Sequence, residues 1–224
     1  MMILVRLPLA ITYVARAVLY KALIALVFAA GLAQAAPLKL VALGDSLTHG
    51  YGLPPEDGFV PQLERWLIGQ GQEVSVINMG VSGDTTEGGR ARLDWALGGG
   101  ADAVIVALGG NDLLRGIDPE RSRENLDAML TSLSDKGLPV LLAGMQAPLN
   151  YGPEFKEAFD AMYPEVAAKH GAILYPSFME GLVSETGTMA DLIQDDGIHP
   201  NAKGVALMVE SIGPKVLELL ARAK

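Results

Sequence analysis

Two short motifs near opposite ends of the chain carry the residues best suited to chemistry: Gly44-Asp45-Ser46 and Asp196-Gly197-Ile198-His199-Pro200. A serine hydroxyl is a weak nucleophile until a base takes its proton, and the base works best when a third group fixes its tautomer. Ser46 supplies the hydroxyl and His199 the imidazole. Asp196, three residues before His199, can bring its carboxylate to Nδ1 across a short turn. Asp195 is the alternative orienting group, and either aspartate could instead serve an Asx turn. Ser46 itself could be no more than a helix N-cap. The distant Asp/His motif tips the reading toward a serine nucleophile.

The chain has three histidines. His49 is too close to Ser46 in sequence to reach it with good geometry. His170 lies between Lys169 and Gly171 at the end of a helical pattern, where an imidazole interacts favourably with the helix dipole. His199 is left as the base. Gly80 and Asn111, with the Ser46 N–H, are candidate oxyanion donors, because such groups stabilise charge that appears only in the transition state. The simpler alternatives are a tight turn at Gly80 and a polar loop at Asn111. The context of Ser46 is not the Gly-x-Ser-x-Gly elbow, since Asp45 and Leu47 flank it.

These residues require a scaffold that brings strand ends together. Apolar runs at 38–43, 74–78, 103–108, 140–145 and 172–174 read as strands. Amphipathic patterns near 59–70, 85–97, 119–136, 151–170 and 202–220 read as helices. Buried strands alternating with helices predict one doubly wound α/β domain with a parallel sheet covered on both faces. With strand order 2-1-3, the turns after the first three strands lie side by side at the carboxyl edge, where open α/β sheets bind ligands. Those turns hold Ser46, Gly80 and Asn111.

Composition narrows the classes. Residues 1–35 have no acidic side chain; Arg6, Arg16 and Lys21 precede the apolar stretch Ala22–Leu32, and Ala33-Gln34-Ala35 follows. This is the pattern of a signal peptide, cleaved after Ala35, and it predicts a periplasmic or secreted protein. An uncleaved membrane anchor is the alternative. The remaining domain, 36–224, is large enough for one full core. Without the leader the formal charge of −9 becomes −12, which argues against nucleic acid as a partner. No cysteine is present, so a thiol nucleophile and thiolate metal sites are excluded. No metal or cofactor site is expected: the histidines lack ligand spacing, and Gly98-Gly99-Gly100 lacks a P-loop lysine.

In its four blocks the chain resembles the GDSL/SGNH hydrolase family: Gly44-Asp45-Ser46-Leu47, Gly80 within Asn78–Gly83, Gly109-Gly110-Asn111-Asp112, and Asp196–Pro200. Ala147–Gly152, Glu157-Ala158-Phe159 and Met162-Tyr163-Pro164 are similar to its small bacterial periplasmic thioesterase, lysophospholipase and arylesterase branch. The resemblance implies a flavodoxin-like three-layer fold with sheet order 2-1-3-4-5. It also implies Ser46, Asp196 and His199 as the triad, with Ser46, Gly80 and Asn111 as the oxyanion donors. Expected substrates are small acyl esters and thioesters, including acyl-CoA and lysophospholipids, cleaved through an acyl-enzyme by a monomer without stable membrane insertion. Leu149, Asn150 and Tyr151, in a Pro/Gly-shaped loop after the fourth strand, are candidate substrate-binding residues selecting acyl length. A carbohydrate O-acetyl esterase and a non-catalytic exported lipid-binding module are the competing readings.

Overall fold

The computed structural model describes residues 36–182 and 189–223; the expected leader, 1–35, lies outside the described residues. Five strands form one sheet: β1 (Leu38–Gly44), β2 (Val74–Gly80), β3 (Ala103–Ala107), β4 (Val140–Ala143) and β5 (Ile173–Tyr175). The order is β2-β1-β3-β4-β5 and every pairing is parallel. Around them run α1 (Ser46–His49), α2 (Phe59–Gly69), α3 (Thr86–Ala91), α4 (Leu93–Ala96), α5 (Gly110–Leu114), α6 (Pro119–Asp135), α7 (Pro153–His170) and α8 (Ala202–Arg222).

Successive side chains of a strand point to opposite faces, and β1 divides its residues accordingly. Leu40 and Ala42 enter a core with Phe59 and Leu63 of α2 and Ile212 of α8. Val41 and Leu43 enter the other, with Leu126 of α6 and Phe159 of α7. The sheet is therefore the middle of three layers, as expected of a doubly wound, flavodoxin-like domain.

Register carries the strand ends to one place. Gly44 at the end of β1 pairs with Gly80 on one side and with Ala107 on the other. The turns that follow β1, β2 and β3 thus emerge together.

Two elements differ from the sequence pattern. The helix expected across 85–97 is broken at Arg92, whose backbone (φ −108°, ψ 8°) leaves the helical region and separates α3 from α4. The helix expected from Tyr151 begins at Pro153, preceded by a separate 3₁₀ turn over Leu149–Tyr151. Proline is pre-set for a first helical position and lacks only an N–H that would go unused there. Among the described residues, no helix is long and apolar enough to cross a membrane.

Candidate active site

Ser46 is the first residue of α1, but it does not cap the helix. The Asp45 carboxylate, one residue earlier, accepts the Leu47 N–H at 3.0 Å. That capping bond leaves the Ser46 hydroxyl free, and it lies 2.8 Å from His199 Nε2. The Ser46 N–H stands at the start of the helix, where intrahelical partners do not exist.

The His199 loop organises itself around Asp196. One oxygen, Oδ1, accepts the backbone N–H groups of Ile198 at 2.9 Å and His199 at 3.0 Å. The other, Oδ2, lies 2.6 Å from His199 Nδ1. Three hydrogen bonds to the ionised form, led by the His199 backbone N–H, lower the Asp196 pKa to about 2. An ionised carboxylate can only accept, so Nδ1 donates and the neutral imidazole presents Nε2 as an acceptor to Ser46. Gln194 braces the loop from behind, donating from Nε2 to the carbonyls of Tyr51 and Pro200, each at 2.9 Å. Asp196, not Asp195, is the carboxylate that meets His199. The other two histidines are engaged elsewhere: His49 Nδ1 lies 3.2 Å from Ser82 Oγ, and His170 Nε2 lies 2.8 Å from Asp127 Oδ1.

Asn111, the second residue of α5, lines the same cleft as Ser46 and His199. The turn into α5 requires a glycine: Gly109 has φ 118°, and a β-carbon there would collide with the Tyr163 hydroxyl. Asn111 Nδ2 donates to the Asp84 carbonyl at 2.9 Å. Among the described residues its other contact, with Asp45 Oδ2 at 3.5 Å, is at the limit of hydrogen bonding, so one N–H is weakly engaged. Gly80 sits against α1 so closely that a β-carbon would collide with the His49 backbone. Its N–H is donated to Asn78 Oδ1 at 2.9 Å. Ser46, His199, Asp196 and Asn111 are thus gathered around one point, while the Gly80 N–H is held by its own strand.

Ser46 and His199 open into a cleft of about 570 Å³ walled mainly by apolar side chains, among them Leu47, Leu113, Leu114, Met145 and Met179. The Tyr51 ring leans on His199, with centroids 4.7 Å apart. Leu149, Asn150 and Tyr151 do not line this cleft. Tyr151 packs on Phe155 and donates from Oη to the Leu114 carbonyl at 3.2 Å, bracing the wall from outside. Met145 and Gln146, earlier in the same connection, are the residues that reach the cleft. The difference arises because β4 ends at Ala143, two residues sooner than the apolar run, which frees Met145 to turn inward.

Sequence reasoning also passed over Asp45, which is 3% exposed under the site. Burial pushes its pKa up to about 6, against the opposing effect of the Leu47 N–H. Tyr51 and Met179 were likewise missed, since single residues on unrelated loops leave no pattern. Among the described residues, no cluster of His, Asp or Glu could hold a metal ion.

The description of the GDSL-like lipase/acylhydrolase family matches residues 42–207. An esterase of Pseudomonas aeruginosa named TesA is 39% identical over 188 residues, covering 84% of this chain and 92% of that protein. The Escherichia coli K12 protein named thioesterase 1/protease 1/lysophospholipase L1 is 38% identical over 169 residues, covering 75% of this chain and 77% of its own. The crystal structure of AlinE4, described as a SGNH-hydrolase family esterase, has a TM-score of 0.69 at 39% identity, covering 84% of this chain and 99% of that one. With its fold, its blocks and most of its length matched, the chain belongs to the GDSL-like lipase/acylhydrolase family.

Proposed function

We propose that this protein is a serine hydrolase of carboxylic esters and thioesters, working through an acyl-enzyme on Ser46. The observation that carries the reading is the relay from Asp196 Oδ2 through His199 to Ser46 Oγ, with steps of 2.6 and 2.8 Å, at the wall of an apolar cleft. Ser46 Oγ attacks the acyl carbonyl carbon as its proton passes to His199 Nε2. The tetrahedral intermediate collapses, and His199 returns that proton to the leaving alkoxide or thiolate. Water then repeats the sequence against the acyl-enzyme, giving up its proton to His199 and releasing the carboxylic acid and the Ser46 hydroxyl. Asp196, ionised and acceptor-only, holds the imidazole and stabilises its charged form.

The Ser46 N–H and the weakly engaged N–H of Asn111 Nδ2 are the donors to the oxyanion. The Gly80 N–H joins them when it leaves Asn78 Oδ1. Leu47, Leu113, Met145 and Met179 favour an acyl chain over a sugar, whose hydroxyls would lack partners there. The relatives named as an esterase and a thioesterase/lysophospholipase point to the same two bond types. Of the loop residues, Tyr151 acts on the substrate indirectly, through the Leu114 wall that it braces, while Leu149 and Asn150 stand outside the cleft. The test is hydrolysis of p-nitrophenyl esters and acyl-CoA thioesters by the protein and by Ser46→Ala. Turnover of both by the protein and of neither by Ser46→Ala is expected; equal turnover by the variant contradicts the reading.

We further propose export with cleavage after Ala35, supported by the basic, apolar and small-residue order of 1–35, and action as a monomer on small molecules rather than nucleic acid. N-terminal sequencing of material from outside the cytoplasm is expected to start near Ala36, and a retained leader in the membrane fraction contradicts it.

A further inference from the structure

Arg92 breaks a helical run and turns its side chain inward, to 16% exposure. Burying a guanidinium is costly unless its donors are used. Its Nε donates to Asp84 Oδ2 at 2.6 Å and its Nη2 to the Gly44 carbonyl at 2.9 Å. Nη1 is buried without a hydrogen-bond partner among the described residues. Neither partner belongs to the relay, yet each governs a part of the site.

Gly44 is the last residue of β1, two before Ser46. Its carbonyl also accepts the Val81 N–H at 3.0 Å, so it joins the β1 turn to the β2 turn. Asp84 closes the β2 turn, its N–H donating to the Val81 carbonyl at 3.0 Å. The Asp84 carbonyl holds Asn111 Nδ2 at 2.9 Å. One guanidinium therefore reaches the nucleophile turn directly and the Asn111 amide through a single intervening residue.

We propose that Arg92 is a positioning residue whose fork, by holding the Gly44 carbonyl and the Asp84 carboxylate together, fixes the separation between Ser46 and the Asn111 donor. The proposal rests on the reading of Ser46 as nucleophile and Asn111 as oxyanion donor. Oxyanion donors act only when already aimed at the position where charge develops, and misplacement by about 1 Å can cost about 100-fold in rate. The fork geometry matters as well as the charge. A lysine ammonium is a point charge on a flexible stem and cannot reproduce two fixed donors at Arg92's angles.

The test uses Arg92→Lys, Asp84→Asn and Arg92→Lys combined with Asn111→Ala, assayed on p-nitrophenyl butyrate. Turnover is normalised to active sites titrated with a fluorophosphonate, so that misfolded protein does not count. Arg92→Lys is expected to lower kcat about 10–100-fold with little change in KM. Asp84→Asn, which keeps the carbonyl to Asn111 but weakens the fork, is expected to lower kcat in the same direction. In the Asn111→Ala background, Arg92→Lys is expected to add little, because both changes remove one unit.

An undiminished kcat per active site in Arg92→Lys, a change confined to KM, or a full multiplicative loss on top of Asn111→Ala overturns the proposal. Ser46→Ala run alongside separates the two failures. If it retains turnover, the reading of the site fails; if it is inactive while Arg92→Lys keeps its kcat, only the role of Arg92 fails.

Discussion

The two flanks of Ser46 are built in opposite ways. On the base side, Asp196 and His199 share one loop, and the hydrogen bonds that join the two are made among residues close in sequence. Its carboxylate is partly exposed and held ionised. On the donor side, Asn111, Asp84, Gly44 and Arg92 come from different elements and are tied by contacts of long sequence separation. Beneath that side, next to Asn111, the Asp45 carboxylate is buried and pushed toward the neutral form. A loop can carry the proposed base and its orienting group as a unit, whereas the proposed oxyanion site, built from strand ends, depends on the whole sheet edge.

The largest effect is expected on the base side. Ser46→Ala and His199→Ala should each lower kcat about 10⁴-fold or more, and the double variant little further, because nucleophile and base act as one. Steady-state hydrolysis of p-nitrophenyl butyrate measures this; additive losses would break the picture of a single unit. On the donor side, Asn111→Ala should lower kcat about 10²–10³-fold, about 3–4 kcal/mol, with KM little changed. A loss carried mainly by KM would move Asn111 from transition-state stabilisation to ground-state binding.

The two carboxylates sharpen the contrast through pH. Burial raises Asp45 from an ordinary 3.8 to about 6, so between those values the folded protein keeps a proton that the unfolded chain has released. The stability this gives is fully present below about 4 and is lost as pH rises to about 6, by about 3 kcal/mol in all. Asp45→Asn retains an acceptor for the Leu47 N–H and should remove that slope, as read from urea unfolding at pH 4 to 7. A variant with the same slope as the parent would contradict the assignment. Asp196 runs the other way: its contribution is present above the ordinary carboxylate value and is lost as pH falls through about 2.

Much of this was legible in the sequence because it was local or periodic. The five strands begin within a residue of where their apolar runs begin; burial on both faces demands such runs in β3 and β4, while the edge strand β2 alternates buried and exposed residues. The Asp196–His199 pair was legible because three residues suffice to close its turn. What was not legible depends on contacts between distant residues. The helical pattern over 85–97 gives no sign that Arg92 would leave the helix, because its carbonyl partner, Gly44, lies 48 positions away. Asp45 reads as a departure from the usual nucleophile context, and its capping of α1 emerges only with the turn. Leu149 and Tyr151 looked like cleft residues by composition, yet the early end of β4 gives that place to Met145.

The smallest expected effect follows from that last difference. Each buried methylene is worth about 0.8 kcal/mol, so Met145→Ser should lower kcat/KM on long-chain esters about tenfold relative to acetate. Leu149→Ser should leave the chain-length profile nearly unchanged. A profile that moves with Leu149 and not with Met145 would relocate the acyl chain to the outer loop.

The central claim is that the Asp196–His199 loop activates Ser46 as a nucleophile. Mapping the site of fluorophosphonate attachment by mass spectrometry tests it most directly. The account predicts a single adduct on Ser46, formed by the parent and suppressed by His199→Ala. An adduct on another residue, or labelling of Ser46 undiminished in His199→Ala, would contradict it.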